Sequence, residues 1–470
     1  MFSMNPVQLA QLLGEWRGEG SSRDALATRL RALILDGRIS LDTRLPAERV
    51  LALALGISRN TVGAAYGVLA NEGYLRNRQG SGSFASVPGG HRGVIDSLSP
   101  GDGVDLRVAA MPAPAILQEL ALDAARDLPR WLDHHGYEPL GLPPLRQAIA
   151  RHFTTRGLAT KPEQVLVTNG ALHAFDLVVR TLLPRASNVI VELPSYPAAL
   201  DALRAARCRL KFVPVTTGGW DLTAFEAIVR SENPALAFLI PDFQNPTGAL
   251  MDSVTRELVI GRLSRAGVMT VIDETFAGLS LDERESPMPA AAAGRAVITL
   301  GSLGKVAWGG LRIGWVRAEP STITRLATAR GGSDMASPVL DQLVGLHVLD
   351  NLEHIVSDRR DLLRQRYHVM TDALSAELPS WRWTPPAGGM VIWAELPTPT
   401  STHLSIKARE LGISLAPGPR FGADGLLERY LRLPFSQAPD RLEDTVRKLA
   451  SLSNQELSRG STDRQRHYIA

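Results

Sequence analysis

The residues best suited to chemistry lie in the stretch ITLGSLGKVAWGGLRIGW, which begins at residue 298. Lys305 stands among glycines, with Ser302 three positions before it and Arg312 seven positions after it. A lysine in this setting indicates a phosphate loop, a site for a covalently bound cofactor, or a flexible turn. The nucleotide-binding P-loop has the pattern Gly-x4-Gly-Lys-Ser/Thr. Here Thr299 replaces its first glycine and Val306 replaces its hydroxyl residue, so a P-loop is excluded.

The choice of lysine at this position is informative, because the chain uses arginine almost everywhere else. Of its 51 basic residues only five are lysines, and Lys305 is one of them. A lysine can lose its proton and act as an amine nucleophile, which a guanidinium does not do. Chance is the competing explanation, since a few surface lysines are expected in any chain.

An acidic residue and a phosphate-binding pattern accompany this lysine. Asp273 ends the apolar run in VMTVIDET, and TNGALHAF carries small residues into a helix start, where backbone N–H groups and the helix dipole favour a phosphate. Pyridoxal 5′-phosphate requires a lysine amine for a Schiff base, a carboxylate beside its ring nitrogen and donors for its phosphate. Ser302 and Arg312 would add phosphate donors, whereas we expect His173 to be a solvated helix residue. The sequence therefore predicts a pyridoxal phosphate site around Lys305.

These residues must be positioned by an α/β domain, which the sequence predicts from about residue 106 onward. Five short apolar runs are typical of buried strands in a mostly parallel sheet: QVLVTNG, NVIVELP, ALAFLIPD, VMTVIDET and RAVITLGS. Helical segments such as LHAFDLVVRTLL lie between them, which favours helices on both faces of the sheet. Ligands of such sheets bind at the carboxyl ends of the strands. The residues predicted to lie there are Asn169, Gly170, Tyr196, Asn245, Asp273 and the segment from Ser302 to Lys305.

The first ninety residues predict a different unit, a helix-turn-helix. Apolar residues have helical spacing over 24–37, and a second helix is predicted to end at Leu55 with Pro46 in its first turn. A turn of sequence GIS follows, with Ser58 as the N-cap of a helix over about 59–72. In a helix-turn-helix, the N-terminal residues of the second helix read the major groove. An ordinary helical hairpin with an exposed loop is the alternative for this pattern alone.

A β-hairpin wing is predicted next, in YLRNRQGSGSFAS, where arginines flank a Gly/Ser turn and can contact phosphates or enter the minor groove. The pieces RLPAER, ALGISRNTV, AAYGVLANEGYL and RQGSGSF resemble the winged-helix domain of the GntR family of bacterial regulators. The resemblance implies operator DNA as a partner, with Arg59 reading a guanine. The DNA contacts that the resemblance implies are Arg49, Ser58, Arg59, Asn60 and Thr61, with Gln79 and Gly80 at the wing tip. The arginines of the wing add Arg76 and Arg78.

Nearly the whole of residues 106–452 resembles the fold-type I aminotransferases. The matching motifs are SLGK, GGLRIGW, YEPLGLPPLRQAIA, VTNGALHAFDLV, ELPSYPAA, QNPTGAL, VIDET, PAGGMVIWAELP and YLRLPFS. Joined to the winged helix, this domain resembles the MocR subfamily of the GntR regulators. The resemblance implies a homodimer with bound pyridoxal phosphate.

The same resemblance implies a role for each matching residue. Lys305 would bind the cofactor covalently as the catalytic residue, Asp273 would pair with its ring nitrogen, and Arg432 would grip a substrate carboxylate through its planar fork. Asn245 would donate to the phenolic oxygen of the cofactor, and Tyr196 would stack on its ring. The cofactor phosphate would be held by Gly170, Ala171, Ser302 and Arg312, and by Tyr137 reaching in from the neighbouring subunit.

Two positions depart from the family pattern. A tyrosine usually follows the aspartate closely and contacts the phenolic oxygen, whereas DETFAG places Thr275 and Phe276 there. The departure implies that Asn245 makes this contact alone, which would alter the acidity of the cofactor linkage and weaken transamination. Pro197 and Ala198 stand where some relatives have a second arginine for a carboxylate.

Domain boundaries follow from composition. We predict a winged helix over 1–86, a Gly/Pro/Ser-rich linker over 87–105, an aminotransferase-like domain over 106–454 and a disordered polar tail over 455–470. The single cysteine, Cys208, excludes an intramolecular disulfide. No apolar run approaches a membrane span and no signal peptide is evident, so a cytoplasmic protein is expected, without a metal site.

The leading hypothesis is a transcriptional regulator that senses an amino compound, or pyridoxal phosphate itself. An effector amine would displace Lys305 from the cofactor, and the resulting movement would change the spacing of two winged helices. A working aminotransferase with a secondary DNA-binding domain is one alternative. A repressor that no longer binds the cofactor is the other.

Overall fold

The computed structural model describes residues 3–14, 16–17, 21–35, 38–78, 81–86, 103–216, 218–282, 287–423 and 426–466. The predicted linker up to residue 102 and the predicted wing-tip residues Gln79 and Gly80 therefore lie outside the described residues.

The N-terminal domain contains the predicted helices and wing. Its helices are α1 (Pro6–Leu13), α2 (Ser22–Leu35), α3 (Glu48–Leu55) and α4 (Arg59–Asn71), and its strands are β1 (Leu75–Arg78) and β2 (Gly82–Ala85). The two strands pair antiparallel, and one apolar cluster joins the four helices to the wing.

The turn between α3 and α4 depends on two residues. Gly56 has a φ of 63°, in the left-handed region that glycine adopts without steric cost. The hydroxyl of Ser58 accepts a hydrogen bond from the backbone N–H of Thr61 at 3.0 Å, so the predicted N-cap is confirmed.

The large domain is built on an eight-stranded sheet. The first strand of the domain, β3 (Val104–Asp105), is not part of this sheet. The sheet contains β4 (Val165–Thr168), β5 (Asn188–Leu193), β6 (Arg209–Thr216), β7 (Gly219–Trp220), β8 (Leu236–Leu239), β9 (Met269–Asp273), β10 (Val297–Ser302) and β11 (Gly314–Arg317). The order in the sheet is β4-β11-β10-β9-β8-β5-β6-β7. Strands β10, β9, β8, β5 and β6 are parallel, whereas β11 and β7 run antiparallel to their neighbours, so the prediction of a mostly parallel sheet is confirmed.

Helices cover both faces of this sheet, as predicted. The helices of the domain are α5 (Leu117–Asp127), α6 (Pro143–Thr155), α7 (Ala171–Leu182), α8 (Pro197–Ala205), α9 (Leu222–Ser231), α10 (Ser253–Arg265), α11 (Pro320–Arg330), α12 (Val339–Asp350), α13 (Leu352–Glu377), α14 (Ser401–Glu410) and α15 (Pro439–Arg466). Apolar side chains of α7, α8 and α11 pack on one face, and those of α9 and α10 pack on the other. Within the described ranges, no helix is both long and apolar enough to cross a membrane.

A smaller antiparallel sheet completes the domain. The remaining strands are β12 (Arg382–Trp383), β13 (Val391–Glu395), β14 (Ile413–Ser414), β15 (Ala416–Pro417) and β16 (Tyr430–Pro434). The small sheet has the order β12-β13-β16-β15, and β14 pairs with β3 instead. Helix α14 of this part also packs against α2, which brings the N-terminal domain onto the large domain.

Two structural elements lie across or beside predicted domain boundaries. The linker does not extend to residue 105, because Val104 and Asp105 form β3 and pair in parallel with Ile413 and Ser414. Helix α15 runs on to Arg466, past the predicted start of the tail at 455, and residues 467–470 lie outside the described residues.

Candidate cofactor site and DNA-binding face

The predicted cofactor residues meet at the carboxyl edge of the large sheet. Asp273 is the last residue of β9 and Ser302 is the last residue of β10. The two strands are parallel neighbours, so both residues lie at the same edge. Lys305 lies in the turn after β10, and Gly170 is the N-cap of α7, directly after β4. This edge is where α/β sheets bind their ligands.

The amine of Lys305 lies against a backbone carbonyl and an aromatic ring. Its Nζ donates to the carbonyl of Ala109 at 2.6 Å and lies 5.6 Å from the centroid of the Phe276 ring. Burial lowers the pKa of Lys305 to about 8, the positive charge of Arg432 adds to this effect, and Asp273 opposes it. A free amine is therefore accessible near neutral pH, and attack on a carbonyl carbon requires a free amine.

Asp273 supplies a carboxylate for the ring nitrogen of a bound cofactor. It is 8% exposed, and its Oδ1 accepts the backbone N–H of Thr275 at 2.9 Å. Burial raises the pKa of Asp273, whereas hydrogen bonds from Thr275 and the charge of Lys305 lower it. A buried carboxylate is stabilised in its ionised form by a cationic N–H nearby, and the protonated ring nitrogen of pyridoxal phosphate is such a group. The residue fits the role that the sequence predicts for it.

Arg432 projects from β16 with one donor unused. It is 4% exposed, its Nη1 donates to Asn245 Oδ1 at 3.3 Å, and its Nη2 donates to the carbonyl of Arg107. Its Nε is buried without a hydrogen-bond partner among the described residues. Burial lowers the pKa of Arg432 to about 10. An unsatisfied buried donor destabilises a protein, so a ligand carboxylate that accepts this N–H would be favoured.

The phosphate cradle lies at the start of α7. Gly170 has a φ of 91°, and a Cβ added there would lie 3.0 Å from Arg312 Nη2, so glycine allows the guanidinium to approach the backbone. The same Nη2 donates to the carbonyl of Asn169 at 2.7 Å. Ser302 Oγ donates to the carbonyl of Ile313 at 3.1 Å. With the N–H groups at the start of α7, beginning at Ala171, these groups fit a phosphate.

The two tyrosines predicted to contact the cofactor, Tyr196 and Tyr137, differ in exposure and position. Tyr196 is the N-cap residue of α8, and burial raises its pKa, with the charge of Asp273 adding to the effect and that of Arg432 opposing it. Tyr196 lies three residues after the end of β5, at the same carboxyl edge of the sheet as Asp273. Tyr137 is 53% exposed, with its ring centroid 5.8 Å from that of His135. Its contact with the phosphate of a neighbouring subunit stays a prediction.

The departure at Phe276 has a structural consequence. The side chain is 3% exposed, so its ring belongs to the core and also faces Lys305 Nζ. A ring without a hydroxyl offers the amine an apolar surface where relatives place a phenol. This contact is consistent with a site in which Asn245 alone approaches the phenolic oxygen of the cofactor.

The segment directly after β3 lies against the site, and no sequence motif predicts it. Its backbone carbonyls at Arg107 and Ala109 accept hydrogen bonds from Arg432 and Lys305, the cations of the site. The Arg107 side chain is paired with Asp105 at 2.8 Å. Backbone carbonyls carry no residue-type signal, so no motif indicates this contact.

The prediction for His173 is wrong. The residue is half-buried, and its Nδ1 accepts the backbone N–H of Asn169 at 3.0 Å. Its Nε2 lies 3.7 Å from Asp334 Oδ2. Burial lowers the pKa of His173, with the charge of Asp334 opposing the effect, so the ring is available as a neutral acceptor. The His173 ring therefore holds the backbone of Asn169, one residue before Gly170 of the phosphate cradle.

The residues predicted to read DNA lie on α3 and at the start of α4, where most of them are exposed, and they make up the candidate DNA-binding face. Arg49 of α3 and Arg59 and Asn60 of α4 are exposed, and Thr61 lies one position further at intermediate depth. The Arg59 side chain is 70% exposed, with its Nε 3.2 Å from Glu48. Exposed pairs of this kind contribute about 0–1 kcal/mol, so the guanidinium can exchange this carboxylate for a DNA acceptor.

The two wing arginines both face one acidic residue. Arg76 donates to the Asp42 carboxylate, and a guanidinium nitrogen of Arg78 lies 3.8 Å from it. The Arg78 guanidinium also lies 4.9 Å from the centroid of the Phe84 ring. The contacts of these residues with DNA stay predictions.

Two family models match this chain. Residues 22–85 match the model of bacterial regulatory proteins of the gntR family, and residues 116–449 match that of aminotransferase class I and II. The second match covers well over half of the chain and shows its family.

Curated relatives include both enzymes and regulators. The 2-aminoadipate transaminase of Thermus thermophilus is 33% identical over 373 residues, which cover 75% of this chain and 90% of that enzyme. The uncharacterized HTH-type transcriptional regulator YdcR of Escherichia coli is 28% identical over 471 residues, which cover 92% of this chain and 99% of YdcR. The probable rhizopine catabolism regulatory protein MocR of Rhizobium meliloti is 33% identical over 326 residues, 63% of this chain and 65% of that protein.

A solved structure supports the fold and the cofactor. The α-aminoadipate aminotransferase LysN of Thermus thermophilus, complexed with N-(5′-phosphopyridoxyl)-L-leucine, has a TM-score of 0.70 at 32% identity, covering 76% of this chain and 93% of that chain. Together with the residues at the sheet edge, this likeness assigns pyridoxal 5′-phosphate as the cofactor. The chain belongs to the class I and II aminotransferase family and joins that domain to a gntR-family DNA-binding domain, which is the arrangement of the MocR-type regulators.

Proposed function

We propose that the protein is a pyridoxal phosphate-dependent transcriptional regulator. Its aminotransferase-like domain senses an amino compound, or the cofactor itself, and alters how the winged helix binds operator DNA. The observation that carries this proposal is a largely buried ion pair between Arg29 of the N-terminal domain and Glu428, in the segment that leads to Arg432.

Arg29 of α2 is the centre of this domain contact and is 5% exposed. Its Nη1 donates to the Thr402 hydroxyl at 3.0 Å and to the Glu428 carboxylate, and its Nε donates to the carbonyl of Leu13 at 3.1 Å. The Glu428 carboxylate also accepts the backbone N–H of Thr402 at 3.1 Å, at the start of α14. An ion pair that is largely shielded from water and has these additional bonds holds both partners in place, because either charge alone would be left uncompensated.

The domain contact lies close in the chain to Arg432, the residue predicted to bind an effector carboxylate. Glu428 lies four residues before Arg432, and β16 begins between them. An effector carboxylate that accepts from Nε and Nη2 of Arg432 would compete with the carbonyl of Arg107 for Nη2. The position of β16 would therefore differ with and without bound effector. The ion pair between Glu428 and Arg29 would transmit this change in position to α2. Such a response requires that the effector binds the two arrangements with different affinity.

The effector chemistry follows from the side chains of the site. Pyridoxal phosphate, when bound, supplies an electrophilic carbon that accepts an amine and a ring that withdraws electrons. Lys305 and an effector amine compete for that carbon, Asp273 holds the proton of the ring nitrogen, and Arg432 orients a carboxylate. An α-amino acid therefore satisfies the site better than a simple amine does.

We further propose that the protein acts on operator DNA as a homodimer in the cytoplasm. A homodimer would present two winged helices to two half-sites of an operator, spaced by one helical turn of DNA or a multiple of it. The exposed Tyr137 supports such a dimer, because its side chain is available to a neighbouring subunit. A DNA-binding regulator of this type works in the cytoplasm.

A footprint on the DNA upstream of the protein's own gene tests the proposal. The purified protein is compared in four states: without ligand, with pyridoxal phosphate, and with pyridoxal phosphate plus either L-leucine or 3-methylbutylamine, the same molecule without its carboxylate. We expect a protected site whose extent changes with pyridoxal phosphate and changes further with an amino acid but not with the matching amine. The proposal fails if no site is protected in any state.

An active aminotransferase is a second candidate. The site brings together Lys305, Asp273, Asn245 and Arg432. The 2-aminoadipate transaminase of Thermus thermophilus is among the relatives at 33% identity. Steady turnover of L-2-aminoadipate with a keto-acid acceptor would favour this candidate. A single spectral change on adding the amino acid, without turnover, would favour the sensor.

A further inference from the structure

A buried arginine lies behind the phosphate cradle. Arg330, the last residue of α11, is fully buried. Its Nε and Nη2 donate to the two carboxylate oxygens of Asp334 at 2.8 and 2.9 Å, and Nη2 also donates to the Ser337 hydroxyl at 2.9 Å. Its Nη1 donates to the carbonyls of Val167 at 2.6 Å and Pro139 at 3.0 Å. All five N–H groups of the guanidinium are therefore used.

Asp334 carries this support to the loop that begins α7. The side-chain amide of Asn169 donates to Asp334 Oδ2 at 2.6 Å. The backbone N–H of Asn169 donates to His173 Nδ1 at 3.0 Å, and its carbonyl accepts from Arg312 Nη2 at 2.7 Å. Asn169 is thus held at its side chain, its N–H and its carbonyl, one position before Gly170.

The charge of Asp334 is compatible with a phosphate nearby. Burial alone would raise the pKa of Asp334, but the hydrogen bonds and charge of Arg330 hold it below its usual value. The carboxylate is therefore ionised at neutral pH and paired with a guanidinium through two bonds. A bidentate pair of this kind orients Asn169 while its two charges largely cancel at the distance of the cradle.

We propose that Arg330 and Asp334 are positioning residues for the cofactor phosphate. They hold Asn169 so that the start of α7 and the Arg312 guanidinium present their N–H donors together. Arg330 also holds Pro139, two residues after Tyr137, the residue predicted to reach the phosphate of the neighbouring subunit. One guanidinium therefore braces two segments with predicted phosphate donors. The proposal requires the cofactor but does not depend on whether the site signals or turns over substrate.

The test compares two ligands that differ only in the phosphate. Full-length apoprotein is titrated with pyridoxal phosphate and with pyridoxal, and binding at Lys305 is followed by the absorbance of the attached cofactor. The variants are Asp334→Asn and Arg330→Lys, together with Asn169→Ala, which leaves the Arg330–Asp334 pair intact. Asp361→Asn is the matched control, since Asp361 forms an exposed pair with Arg364 at 2.6 Å on α13, away from the cradle.

We expect Asp334→Asn and Asn169→Ala to raise the dissociation constant of pyridoxal phosphate roughly tenfold, as when one hydrogen bond to a charged group is lost. The constant for pyridoxal should stay unchanged, and Asp361→Asn should change neither. Equal weakening of both ligands would show that the pair only stabilises the fold and would overturn the proposal. Unchanged affinity for pyridoxal phosphate in Asn169→Ala would overturn it as well, even if Arg330→Lys does not fold.

Discussion

The cofactor site and the DNA-binding face use arginine in opposite environments. Arg432 is 4% exposed, donates to Asn245 and to backbone, and has its pKa lowered to about 10 by burial. The Arg59 side chain is 70% exposed and lies 3.2 Å from Glu48. The first guanidinium is desolvated and fixed, whereas the second is hydrated and can change partners.

This difference sets how strongly each region responds to change. Removing one member of a buried charge pair leaves the other uncompensated, which destabilises a protein far more than the loss of an exposed pair does. Exposed charges are screened by salt, and contacts with DNA phosphates release counterions. We therefore expect large, salt-insensitive effects at the cofactor site and the domain contact, and smaller, salt-sensitive effects at the DNA-binding face.

Lys305→Ala is expected to have the largest effect, because it removes the amine that attaches the cofactor. After incubation with pyridoxal phosphate and desalting, the variant should lose the visible absorbance of the attached cofactor completely. Lys305→Arg, which keeps a positive charge without a free amine, should lose it as well. Binding of the apoprotein to DNA should be retained in both variants, because the DNA-binding face is separate. Retained absorbance in the alanine variant would place the attachment site elsewhere.

Arg29→Met tests whether the domain contact behaves like the buried region. Loss of the pair leaves the Glu428 carboxylate, whose side chain is 13% exposed, without its cation, so the docking of the DNA-binding domain should weaken by up to about 3 kcal/mol. Cofactor binding should be normal, while the change in DNA affinity on adding pyridoxal phosphate or an amino acid should disappear. Fluorescence anisotropy of labelled operator DNA at fixed salt measures this response.

Arg31→Met is the matched control for that variant. Arg31 lies on the same helix as Arg29 and pairs with Glu72 within the DNA-binding domain. Its loss should leave the ligand response intact. A full ligand response in Arg29→Met would show that the domain contact does not transmit the signal.

Local features could be predicted from the sequence, but contacts between distant segments could not. The N-cap at Ser58, the glycine turn before it and Asp273 at a strand end depend on neighbouring residues, and all were expected. The pair of Arg29 with Glu428 joins residues 399 positions apart, without a pattern that connects them. Arg330 and Asp334 have the i, i+4 spacing of an ordinary surface pair, and only the fold buries them against the phosphate loop.

The pH dependence of cofactor attachment provides the third test. With a pKa of about 8 for Lys305, the attachment rate of pyridoxal phosphate to apoprotein should rise roughly tenfold per pH unit below pH 8 and level off above it. An ordinary lysine, with a pKa near 10.4, would give a rate that still rises between about pH 8 and 10. Stopped-flow absorbance measures the profile.

Two variants check the cause of this shift. Arg432→Met removes a positive charge that lowers the pKa of Lys305, so the plateau should move to higher pH. Asp273→Asn removes the negative charge that opposes the lowering, so the plateau should move to lower pH. The cofactor's own ionisation is common to all three proteins and cancels in the comparison. Movement of both plateaus in the same direction would contradict the assigned electrostatics.

The smallest effects are expected at the DNA-binding face, where two arginines should differ in kind. Arg59→Ala should weaken operator binding by about 1–3 kcal/mol and relax the preference at one base pair, because Arg59 is predicted to read a base. Arg76→Ala should weaken all sequences alike and reduce the slope of log affinity against log salt by about 1, because a wing arginine contacts phosphates. Asp42→Asn should strengthen binding slightly, since Arg76 then has no carboxylate to leave. If all three variants lose DNA affinity to an extent that does not depend on salt, the charges of this face behave like the buried charges of the cofactor site. The contrast between the two regions would then be wrong.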